Sequence, residues 1–89
     1  MRAVVTVTGK DRKGIIAEVS AFLANKGVNV EDISQTILGE YFAMIMLVDV
    51  SEATADIATL AREGEEMGKK IGMSIRLQHE DIFNAMHRI

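Results

Sequence analysis

Gly9-Lys10-Asp11-Arg12-Lys13-Gly14-Ile15-Ile16 is the stretch best equipped to handle a charged small molecule. Three cations and one carboxylate sit between two glycines, and glycine lets the backbone take left-handed angles or approach another group closely. The chain before it, Ala3 to Thr8, is short and rich in β-branched residues, so it reads as a strand. The chain after it has apolar residues at 15, 16, 19, 22 and 23, which is helical spacing from about Gly14. The first N–H groups of a helix have no intrahelical partner, and that end carries partial positive charge. Such a loop offers donors to a carboxylate or phosphate, while Asp11 can take an ammonium group. The other reading is a plain connection whose charges are solvated.

Other chemistry is scarce. His79 and His87 have no third ligand at suitable spacing, and a metal site needs three or four, so no metal is expected. Ser20, Ser34, Ser51 and Ser74 have no neighbouring histidine, so no activated nucleophile is expected. Glu31 and Asp32 are adjacent in a strand and point to opposite faces, so they cannot share a proton. Neither an enzyme nor a cofactor protein is indicated. Met44, Met46, Met67 and Met73 fit buried stripes.

The 89 residues make one small domain, 1–89. A domain of this size buries roughly 60–65 % of its unfolded surface, so its stability margin is thin. There is no cysteine to staple it, which leaves oligomerisation as the way to gain burial. The chain opens without a signal-like leader and has no apolar run near the roughly 20 residues of a membrane span. A soluble cytoplasmic protein without membrane contact is the expectation. Net charge is −3: residues 1–14 carry four bases and one acid, the remainder six bases and twelve acids. That acidic body, with three Phe and one Tyr, argues against nucleic acid.

The elements that hold the loop follow in order. A first strand spans 2–8, with Ala3, Val5 and Val7 on one face. A first helix spans 14–26 with the stripe Ile15, Ile16, Val19, Phe22, Leu23, and Gly27 caps it. A second strand, 28–38, is polar and imperfectly alternating, which suits an edge. Leu38-Gly39-Glu40-Tyr41 is a tight turn. A third strand, 41–50, is apolar on both faces and is expected to be central and covered on both sides. Facing Leu38 with Tyr41 sets Ile37, Gln35 and Ile33 beside Phe42, Met44 and Met46. A second helix starts near Ser51 as N-cap and buries Ile57, Leu60, Ala61, Met67 and Ile71. Its Glu65–Lys69 and Glu66–Lys70 pairs add support. Gly64, Gly68 and Gly72 mark a close crossing or a fraying end. A fourth strand spans 73–79. A tail helix, about 80–88, carries Ile82, Phe83, Met86 and Ile89, and is expected to cover the outer sheet face of its own chain or of a partner.

This order, βαββαβ with right-handed crossovers, gives an α+β ferredoxin-like fold: a four-stranded antiparallel sheet with both helices on one face, plus the short C-terminal helix. Asn29 lies at the far end of the first helix from the loop. A second copy, antiparallel along that helix and the edge strand, would bring its Asn29 to the first copy's loop. A homodimer or higher oligomer with a ligand at its interface is therefore expected.

The run Val7-x-Gly9-x-Asp11-Arg12-x-Gly14-Ile15-Ile16-Ala17-x-Val19-Ser20, with Gly27-x-Asn29, Asp32-Ile33-Ser34-Gln35 and Glu40-Tyr41-Phe42, resembles the ACT domain over the whole chain. It is similar to stand-alone single-ACT-domain proteins and to one half of the glycine cleavage system repressor. The resemblance implies a regulatory module that senses amino acids at a dimer interface. Carried over by position, its ligand-binding residues are Asp11, Gly14, Ile15 and Asn29. Serine-binding members have amide side chains in the loop where this chain has Asp11-Arg12. The competing reading is a small acylphosphatase-like hydrolase, which shares the layout and would cradle phosphate with Arg12 and Gly14. Its Gly-Phe-Arg loop character is absent here.

Overall fold

The computed structural model describes residues 1–86. Strand β1 (Arg2–Lys10) runs past Thr8 because Gly9 and Lys10 pair with Phe42 and Tyr41 of β3 (Tyr41–Asp49). A Cβ at position 9 would lie 2.5 Å from Met73 Sδ and 3.2 Å from Gly72 O, so a side chain there would have to displace the Met73 thioether. Helix α1 spans Ile15–Asn25, and Gly27 closes it at φ 74°. Strand β2 (Asn29–Leu38) forms one edge of a sheet ordered β2-β3-β1-β4, with β4 (Met73–His79) at the other. All pairings are antiparallel. The β2–β3 register is the expected one, Leu38 opposite Tyr41 and Gln35 opposite Met44. A bulge between Val30 and Asp32 breaks the alternation of β2 and blunts its free edge.

The ferredoxin-like arrangement is thus the structure of this chain, with a third helix, α3 (Glu80–Met86), after β4. Ala3, Val5 and Val7 meet Met44, Met46 and Val48 under the helices, and all are almost fully buried. Val19 and Leu23 of α1 and Leu60 of α2 (Ile57–Ile71) close this layer.

Four expectations change. Helix α2 does not start at Ser51. The Ser51 hydroxyl is engaged with Asp49 Oδ1 at 2.6 Å, and residues 51–56 form a turn fixed to the end of α1 by Thr54 N–H donating to Lys26 O at 2.9 Å. Asp56 is the N-cap instead and accepts from Thr59 N at 2.8 Å. The outer face of β3 is not covered, since Ile45 is 46 % exposed. Ile16 is exposed and faces the β2 side rather than the core. Glu66 pairs with Arg62 at 3.8 Å rather than with Lys70. The glycine spacing of α2 marks a close crossing: Gly64 and Gly68 are buried against Ile75, and Gly72 is the left-handed cap. The tail helix lies on its own sheet, against β1 and β4; residues 87 and 88 of its expected span, and Ile89 of its expected stripe, lie outside the described residues.

Hydrogen bonds from Ser51 to Asp49, and from Thr59 to Asp56, hold both carboxylates below the ordinary value of 3.8. The unfolded chain therefore takes up protons first as pH falls. The stability these groups contribute is complete above about pH 4 and is lost as pH drops through their depressed folded values. Urea midpoints measured from pH 7 to pH 2 should show an acid limb below about pH 4. Asp56→Ala should make that limb shallower, and an unchanged limb would count against the assignment.

Candidate functional site

The loop between β1 and α1 is Asp11 to Gly14, and it is clamped from two sides. Asp11 N–H donates to Glu40 O in the β2–β3 turn at 2.7 Å. The Arg12 guanidinium bonds the last carbonyl of α2, Ile71 O, at 3.4 Å, Lys13 O at 2.9 Å and Glu18 Oε2 at 2.5 Å. A cation on the final carbonyls of a helix is favourably placed. Gly14 takes φ 89°, a left-handed angle, so that α1 begins at once at Ile15. Its carbonyl accepts from Glu18 N at 2.9 Å, and no side chain caps the first-turn N–H groups.

These constraints leave a cleft of about 480 Å³ beside the helix start. Asp11, Gly14 and Ile15 line it. Ile16, Ile37 and Phe42 add an apolar wall, and Gln35 adds one amide. Gln35 was legible in the register, which puts it between Ile33 and Ile37 on the helix-facing side of β2. An amide among apolar neighbours on that face was the signal.

Asn29 is not part of this cleft. It lines a separate one of about 380 Å³ with Gly27, Asp49, Ser51 and Glu52. The 11 residues of α1 separate the two, roughly 16 Å at the helical rise. One chain therefore does not bring Asn29 to the loop. The edge between them is open: every residue of β2 is exposed, including Ile33 and Ile37.

Among the described residues no three His, Cys, Asp or Glu side chains group as metal ligands. His79 Nδ1 accepts from Asp81 N at 3.0 Å and serves the turn into α3. The phosphate-cradle reading gains no support, because Arg12 is spent on Ile71 O and Glu18. No helix among the described residues is long and apolar enough to cross a membrane.

A four-stranded sheet with two helices on one face leaves an open cleft at the first loop. A profile of the ACT domain matches residues 2–78, and the chain belongs to this regulatory, ligand-binding family. It is 54 % identical over 88 residues to a UPF0237 protein of Methanocaldococcus jannaschii, covering 99 % of this chain and 98 % of that one. An ACT domain protein from Streptococcus pneumoniae superposes with a TM-score of 0.83 at 44 % identity, covering 98 % of each chain. A candidate glycine cleavage system transcriptional repressor shares the fold, with a TM-score of 0.73 at 24 % identity over 86 % of this chain and 44 % of that one.

Proposed function

We propose that this chain is a non-catalytic cytoplasmic regulatory module that acts as a homodimer. It binds an amino acid between the loop Asp11–Ile15 of one subunit and Asn29 of the next. The observation that carries this reading is the cleft at the start of α1, where uncapped N–H groups, Asp11 and an apolar wall converge. The N–H groups of Gly14 and Ile15 take the carboxylate. Asp11 takes the ammonium by a charge-assisted hydrogen bond. Asn29 can donate and accept, so it bridges the ligand and the neighbouring subunit. The exposed Ile16, Ile33 and Ile37 along α1 and β2 support pairing of two copies at that edge.

A thermal-shift screen of the twenty amino acids tests the reading. A ligand present at 100 times its Kd adds about 2.7 kcal/mol of stability. Asn29→Ala should abolish that gain. It should leave the free protein's stability within about 0.5 kcal/mol, as for other exposed sites without a structural role. Undiminished affinity in Asn29→Ala would show that Asn29 is not in the site.

A further inference from the structure

Helix α3 covers only part of the sheet's outer face. It is fixed at one end of that face by the Arg2–Glu80 ion pair at 2.9 Å and by Gln78 Nε2 on Met86 Sδ at 3.3 Å. Val4 beneath it is buried to 6 % exposure, while Ile45 on the adjacent strand stays 46 % exposed. Along α3, Ile82 and Met86 are each more than half exposed. At the opposite end of the same face, Thr8, Thr36, Leu38, Tyr41 and Ala43 line an apolar cleft of about 310 Å³. Leu38 and Tyr41 stand out of it, 77 % and 59 % exposed. One face thus has an apolar ridge at one end and an apolar hollow at the other.

The charges match in the same sense. Asp81, at the start of α3, has its side chain 87 % exposed. Lys10, the cross-strand neighbour of Tyr41, has no ion pair among the described residues.

We propose that the outer face is a self-complementary interface, with α3 of one copy seated in the hairpin-end cleft of a second copy. A two-fold axis in the plane of the face and oblique to the strands places each ridge on the other's hollow, so every contact occurs twice. Ile82 and Met86 then bury against Leu38 and Tyr41, and Asp81 meets the partner copy's Lys10. This face lies opposite the helices, so the contact is independent of the amino-acid reading and leaves the α1–β2 edge free.

Sedimentation velocity on the full chain across micromolar concentrations tests it. Ile82→Lys and Leu38→Lys should each halve the mass of the assembly while the circular dichroism spectrum stays native, because both side chains are already largely in water. Lys10→Glu should raise the concentration at half-assembly at least tenfold, the effect of about 1.4 kcal/mol, and adding Asp81→Lys should restore it. A wild-type chain that stays monomeric overturns the proposal. So do variants that keep the wild-type mass, or a charge exchange that fails to restore assembly. A face reserved for a different protein would give one of those results.

Discussion

Gly68→Ala should destabilise the fold by about 1–3 kcal/mol, whereas Gly64→Ala, one turn earlier, should stabilise it by roughly 0.5–1 kcal/mol. Both glycines are buried on the face of α2 that crosses β4, and both carry the helix cost of glycine. The space beside them differs. A Cβ at position 68 would lie 2.7 Å from Met73 O and 3.0 Å from Ile75 Cγ1. The first of these is backbone, held in β4 by its pairing with β1, so the helix itself must lift. A Cβ at position 64 would meet Ile75 Cγ2 at 3.6 Å and Phe22 Cε2 at 3.8 Å, ordinary contact distances. There the methyl group fills space and the propensity gain survives. Urea denaturation of the two variants checks the signs, and equal effects would mean that the crossing is looser than drawn.

The glycine spacing was visible in the sequence, but its meaning was not. Every-fourth glycines fit either a tight crossing or a fraying end, and only the partner's position decides. Here Gly68 crosses, while Gly72 at φ 76° terminates. The sheet was more legible. A two-residue turn at Gly39-Glu40 admits one alternation of Ile33, Gln35 and Ile37 against β3, and the observed register is that one. The start of α2 was hidden, because Ser51 and Asp56 are both acceptable caps. The choice fell to a tertiary contact, the turn docked on Lys26 O, which no local pattern reveals. The exposed outer face of β3 escaped for a similar reason: apolar residues on both sides of a strand signal burial, whether by the same chain or by another copy.

The candidate site divides the same way. That Asp11, Gly14 and Ile15 gather at the start of a helix was readable, since a charged turn before a helix is local chemistry. The partner of Arg12 was not readable from the same stretch. Its side chain reaches Ile71, 59 residues on, and ties the loop to the end of α2. That tie gives the loop a fixed pose, and it joins α2 to the cleft wall through one guanidinium.

Leu60→Ala tests how firmly α2 is seated. Leu60 is fully buried, and the other buried positions of this helix are Gly64 and Gly68, which bring no side chain. Ile57, Ala61, Met67 and Ile71 only pack against the core's margin. Removing the Leu60 side chain forfeits its burial and leaves a cavity in the core between α2 and the sheet that rigid β-strands cannot collapse to fill. The expected cost is about 2–5 kcal/mol, against a total stability on the order of 4–13 kcal/mol for a chain of this length. For a domain this small each kcal/mol moves Tm by roughly 4–8 °C, so a fall of at least about 8 °C should appear in calorimetry. The helix should also loosen before the sheet does. Hydrogen exchange should speed most in α2 and in the Asp11–Gly14 loop that Arg12 binds to it, with β1 and β3 protected longest. Uniform acceleration across the sheet and both helices would mean that α2 does not open as a separate unit and that the Arg12 tie does not transmit its motion to the loop.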